Sequence, residues 1–185
     1  ERFVLRRTKE DVAKHNARLE LPPCDFENVE LEMYPEERDL YKQVFERGQD
    51  IVRHVFKTGT QNLHQMELLE CLLRVRQVMT WPQLYLDGIA LKEESDPEPW
   101  LGRSKKLETL VASIRAHPKE KTLVFTQWMG EMDRIQELLT AEGLPVFRID
   151  GSVTKDQREE RIKSFKNGAE NSVFIIQIKA GGVGL

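Results

Sequence analysis

Cysteine is scarce in this chain: of its 185 residues only Cys24 and Cys71 are cysteines. Two cysteines cannot build a disulfide framework or a Cys-rich zinc module. Histidine is scarce as well, and His15, His54, His64 and His117 stand singly, without the short spacings of metal ligands. Long apolar runs are missing. The longest, residues 173–176, falls far below the roughly 20 residues that cross a bilayer as a helix. No G-x-x-x-x-G-K-S/T phosphate loop, no G-x-S-x-G nucleophile elbow and no Asp-Glu pair closing a strand appears. A self-contained nucleotide hydrolase, a serine hydrolase and a structural metal site therefore have no support. The expectation is a soluble intracellular protein with no membrane partner.

Charge is abundant, at 32% of residues, and unevenly placed. Residues 1–102 carry a net of −6 and residues 103–185 a net of +3. A basic half beside an acidic half points weakly to a polyanion partner for the basic half, and equally fits ordinary variation between helical faces.

The C-terminal part alternates strand and helix. Short apolar runs at 122–126, 146–149 and 173–176 read as strands. Between them, residues 130–141 carry Met132, Ile135, Leu138 and Leu139 at helical spacing, and 154–165 carry Ile162 and Phe165. Thr154 with Gln157 three residues later is a capping box. Residues 105–116 form a preceding helix with Leu107, Leu110, Val111 and Ile114 inward. Such alternation implies right-handed βαβ units and a parallel sheet.

The N-terminal part is mostly helical. Residues 26–33 alternate imperfectly through Phe26, Val29, Leu31 and Met33 and suggest one extended strand. Pro35 with Glu36 and Glu37 opens a helix toward Lys57, and a second runs from about 61 to 79. Residues 84–102 contain Asp87-Gly88 and an acidic, Pro-bearing stretch, which reads as a surface loop or linker.

In an open parallel sheet, ligands bind beyond the carboxyl ends of the strands. Those ends carry Thr126-Gln127, Asp150-Gly151-Ser152 and Gln177-Ile178-Lys179-Ala180-Gly181-Gly182. Free N–H groups near helix starts, together with glycines, could present a row of donors to phosphates; each loop taken alone could equally be only a turn or a cap.

These segments, in this order, resemble the Snf2 family of ATP-dependent DNA translocases in helicase superfamily 2. Residues 3–12 (FVLRRTKEDV) and Leu21-Pro22-Pro23 resemble the end of the family's first ATPase lobe. Residues 34–41 resemble the following entry into a helix, 73–84 (LRVRQVMTWPQL) a helix end, and 104–107 the entry to the second lobe. Residues 121–128 resemble motif IV, Arg148-Ile149-Asp150-Gly151-Ser152 with Arg158, Arg161 and Phe165 the block after it, and 179–185 (KAGGVGL) motif V.

The resemblance implies the fold class and the organisation: α/β, a partial RecA-like parallel sheet with flanking helices, preceded by a mostly helical bridging segment. Residues 1–33 would be the tail of the first lobe with a linking strand, 34–83 the helical bridge, 84–102 the linker, and 103–185 a truncated second lobe. It also implies roles. Thr126, Gln127, Gly151, Ser152, Gln177, Lys179 and Gly181 would meet the DNA backbone. Gly182 and Gly184 would face the nucleotide cleft. Arg6 and Arg7 would brace the hinge between lobes, contact DNA, or lie on a plain solvated helix. Gln177 departs from the Ser or Thr usual in the family, although its amide could still donate to a phosphate.

No catalytic residue is expected here. ATP and Mg2+ would serve the parent protein and not this stretch alone, which by itself should be inactive. The implied partners are double-stranded DNA, the first ATPase lobe in cis, and histones or the nucleosome. The wording of motif V and the Leu-Pro-Pro entry lean toward the DNA-repair subgroup, and the location would be the nucleus in a eukaryote or the cytoplasm otherwise. A histone- or partner-docking module without catalysis is the alternative.

Overall fold

A computed structural model describes residues 24–60 and 64–181 of the chain. It divides into two units, residues 1–30 and 31–185. In the first, the described residues 24–30 have no regular secondary structure and are exposed. The strand expected at 26–33 does not form, and Phe26 is 92% exposed. Val29, Leu31 and Met33 keep a two-residue period but Phe26 falls off it, and among the described residues no strand pairs with this stretch.

The second unit begins with helices. Helix α1 (Pro35–Thr58) has Pro35 in its first turn beside Glu36 and Glu37, and ends at Gly59 in the left-handed conformation. Helix α2 (Gln65–Thr80) packs antiparallel-hairpin fashion after it. Trp81 is extended, and Pro82 starts helix α3 (Pro82–Glu93).

Helix α3 corrects the expected linker at 84–102. Its Leu84 and Ala90 are buried. The Asp87-Gly88 pair that suggested a turn has another cause. The Gly88 carbonyl accepts a hydrogen bond from Arg74 Nη2 at 2.9 Å, and a Cβ at Gly88 would lie 1.9 Å from Arg74 Nη1. The glycine is there so that α2 can pass its arginine close to α3. Even the irregular stretch after Glu94 is tied down: Gln83 donates to the Glu98 carbonyl at 2.9 Å and accepts from the Trp100 N–H.

The α/β part follows as α4 (Lys105–Ala116), β1 (Thr122–Thr126), α5 (Met129–Ala141), β2 (Val146–Ile149), α6 (Lys155–Asn167), β3 (Val173–Gln177) and the short α7 (Ile178–Gly181). The capping box at Thr154 and Gln157 forms, with Thr154 N–H to Gln157 Oε1 at 3.1 Å and the return bond at 3.4 Å. The sheet is parallel in the order β1-β3-β2, with Thr126 opposite Gln177 and Ile149 opposite Ile176.

Central strand β3 is apolar on both faces and buried from Val173 to Ile176. On one face Val124, Val173 and Ile175 pack against Leu107 and Ile114 of α4 and Met132, Ile135 and Leu139 of α5. On the other, Phe174, Ile176 and Ile149 meet Phe165 of α6 with Phe147 and Ile162. That second face is covered unevenly, and Leu123 and Phe125 of β1 are 48% and 55% exposed.

One carboxylate joins the helical segment to the α/β part. Glu37 is 6% exposed and accepts the Tyr34 N–H at 3.0 Å and the Lys105 N–H at 3.2 Å, so it satisfies orphan donors at the starts of both α1 and α4. Around it, the Tyr34 hydroxyl donates to Glu108 at 2.6 Å, and the Arg103 guanidinium lies 4.0 Å over the Tyr34 ring while bonding Glu108. Glu37→Ala leaves two part-buried N–H groups without their partner and should cost about 2 kcal/mol of stability. A urea midpoint lowered without a change in slope is the expected reading, with Glu37→Gln less affected.

Candidate nucleic-acid interface

Parallel pairing brings the carboxyl ends of all three strands to one edge. The loops leaving that edge hold most of the residues expected to bind phosphate, and the structure brings Thr126, Gln127, Gly151, Ser152 and Gln177 together there. It also shows where their donors point.

After β2, Asp150 is 5% exposed and accepts Ser152 N–H at 2.9 Å, Ser152 Oγ at 2.6 Å and Arg148 Nε at 2.8 Å. Burial pushes its carboxyl up, but the bonds from Ser152 and Arg148 outweigh burial and hold it below the usual carboxylate range. Arg148 also pairs with Asp133 of α5, and its carbonyl accepts from Arg161 at 2.6 Å. The Asp150-Gly151-Ser152 loop is thus a turn closed around a buried carboxylate.

Gln177 ends the central strand. Its Oε1 accepts the Gly151 N–H at 3.2 Å, and its Nε2 donates to the Gln127 carbonyl at 3.4 Å. One amide side chain therefore bridges the loops after β1 and β2.

Thr126 ends β1, is 5% exposed, and donates its hydroxyl to Glu131 in the first turn of α5 while accepting the Trp128 N–H at 3.3 Å. Glu131 is 8% exposed. Burial pushes its carboxyl up, opposed by the Thr126 hydrogen bond and by Lys106.

The Thr126 hydroxyl, the Gly151 N–H, the Ser152 N–H and hydroxyl, and the Gln177 amide each have a hydrogen-bond partner within the protein in this structure. Lys179 of α7 is exposed and pairs with no carboxylate among the described residues. Gln127 is half-buried, with its Oε1 taken by Arg76 at 2.6 Å. Gly181 owes its lack of a side chain to packing, since a Cβ there would lie 2.7 Å from Ile176 Cγ2. Arg158 donates to the Ala180 carbonyl at 2.8 Å and braces the same loop. Gly182, Gly184, Arg6 and Arg7 lie outside the described residues.

Sequence reasoning missed Arg76 and Glu131. Arg76 is 51 residues from Gln127, and nothing in the spacing announces that contact. Glu131 could have been found, since it falls among Met132 and Ile135 on the inward side of an amphipathic helix.

A three-layer α/β unit with its loops gathered at the carboxyl ends of a parallel sheet defines the class: a RecA-like lobe. Residues 1–84 match the model of the SNF2-related domain, and residues 105–185 that of the helicase conserved C-terminal domain. An uncharacterized ATP-dependent helicase of Mycoplasma pneumoniae is 27% identical over 186 residues, covering 99% of this chain and 16% of that protein. The DNA repair protein RAD5 of Yarrowia lipolytica is 40% identical over 98 residues, covering 52% of this chain and 9% of that protein. The SWI2/SNF2 ATPase core of Sulfolobus solfataricus, solved in complex with dsDNA, superposes with a TM-score of 0.58 at 20% identity, over 78% of this chain and 29% of that one. The chain belongs to the Snf2 family of helicase superfamily 2. It spans less than a fifth of the length of these two relatives.

Two outcomes follow from the buried side chains. Because the folded Glu131 carboxyl is raised, its favourable contribution is fully present below the unfolded value of about 4.3 and is lost as pH rises through the folded value. Glu131→Gln should therefore be flatter than wild type in urea midpoint across that window and more stable near neutrality. Gln177→Ala should free the Gly151 N–H, whose hydrogen exchange, followed by NMR, should quicken about fivefold for a lost bond of about 1 kcal/mol.

Proposed function

We propose that the chain is part of an ATP-dependent double-stranded DNA translocase acting in DNA repair or chromatin remodelling. It holds the end of the first ATPase lobe, the helical bridge and the first half of the second RecA-like lobe. The observation that carries this reading is the strand-end edge. Gln177 and Asp150 lock its loops from within, and the cation Lys179 stands exposed beside them. A rigid edge with an exposed cation suits a sequence-blind grip on phosphates, in which the protein does not have to order its loops on binding. The Sulfolobus solfataricus SWI2/SNF2 ATPase core, solved in complex with dsDNA, supports duplex DNA as the partner.

ATP and Mg2+ belong to the whole motor. This sequence has no phosphate loop, and the described residues hold no group of three His, Cys, Asp or Glu that could take a metal ion. Hydrolysis is assigned to the complete pair of lobes. The first lobe in cis is the partner that supplies it.

Helices α1 and α2 favour a second reading. Phe56, Met66, Leu69 and Leu72 are each more than half exposed, which suits docking of a protein such as a histone. That reading needs no DNA.

Duplex binding across a salt series separates the two. The motor reading expects equal affinity for unrelated sequences, falling steeply with salt. Lys179→Ala should lower the slope of log K against log salt by about 0.9, the value of one lost phosphate contact. Binding that ignores salt, or none at all, would overturn the motor reading and leave the docking one.

A further inference from the structure

We infer that Arg76 is a further phosphate-binding residue, carried to the strand-end edge by the helical bridge and held there by Gln127; this rests on the nucleic-acid reading above. Arg76 lies in the last turns of α2, is exposed, and places Nη2 2.6 Å from Gln127 Oε1. Gln127 belongs to the loop after β1, so a cation from a different part of the chain is fixed at the edge where ligands of parallel sheets bind.

Arg76, like Arg158 and Arg161, is held by a neutral oxygen, but it alone of these three is exposed at the loop after β1. Arg53, Arg74, Arg103, Arg115, Arg134 and Arg148 each face a carboxylate. Arg76 is held by a neutral amide and forms no ion pair among the described residues. A carboxylate partner would cancel the charge and compete with an anion. An amide oxygen fixes the guanidinium while leaving its charge whole and its other N–H groups free. Those free donors match the paired oxygens of a phosphate in a way a lysine cannot.

The contact continues inward. The Gln127 carbonyl accepts from Gln177, and Gln177 accepts from Gly151. Arg76 is thus the outer end of a polar chain crossing all three strand ends. Its rotamer freedom is restricted before any ligand arrives, which lowers the cost of binding.

The test is fluorescence anisotropy of the chain with a labelled duplex over a salt series, using Arg76→Ala, Arg76→Lys, Gln127→Ala and Arg53→Ala. Arg76→Ala should lower the salt slope by about 0.9 and weaken low-salt binding roughly fivefold. Arg76→Lys should keep the slope with weaker binding. Gln127→Ala should keep the slope and weaken binding about twofold, because Arg76 must then be ordered on contact. Arg53→Ala, which removes an equal charge from α1, should change neither. A wild-type slope in Arg76→Ala would overturn this inference alone. Absence of salt-dependent binding by the wild-type chain would overturn the nucleic-acid reading and this inference with it.

Discussion

The pairing of β3 with both of its neighbours is the constraint from which the rest of this structure follows. Val173, Phe174, Ile175 and Ile176 are all buried, so every backbone N–H and C=O of that strand must find a partner in the sheet. Two parallel neighbours supply them. Parallel pairing demands a long crossover for each return, and α5 and α6 are those crossovers. They cover opposite faces, which is why the apolar side chains of β3 divide into two cores, one with Met132 and Leu139 and one with Phe165. The same pairing sends all three strand ends to one edge.

At that edge the protein solves a problem of backbone satisfaction before it can bind anything. Loops leaving a buried sheet carry N–H groups that cannot be left without partners. Asp150 takes those of its own turn, Gln177 takes that of Gly151, and Thr126 takes that of Trp128. What remains outside is charge: Lys179 after the central strand and Arg76 beside the loop after β1. The helical segment is no bystander in this. Glu37 fastens its beginning to α4, and Arg76 fastens its α2 to the loop after β1.

Much of this was legible in the sequence, for local reasons. The three strands, the helices between them and the Thr154–Gln157 capping box depend on apolar period and on residues within one turn of each other, and they form as read. The strand expected at 26–33 does not form because alternation over Val29, Leu31 and Met33 says nothing of a partner strand, and among the described residues none pairs with it. Helix α3 reads as a linker in the sequence because Asp87-Gly88 is a turn signal and the approach of Arg74 is not visible there. At the candidate site the residues that gather at the edge were legible, since strand ends follow from strands. The direction of their donors was not. Which partners the Gln177 amide finds depends on loops 26 and 50 residues away, and even the turn of the Ser152 hydroxyl toward Asp150, two residues before it, is one of several local options.

The close passage of Arg74 over Gly88 has a consequence for how this chain can change over generations. No side chain fits at position 88 while a guanidinium occupies that gap, and the arginine is itself bonded to Glu70 and Gln77. The two positions are therefore coupled: a methyl at 88 would push the tip of the Arg74 side chain aside and break its bond to the Gly88 carbonyl, so the first change at either position costs a hydrogen bond between two helices rather than the helices themselves.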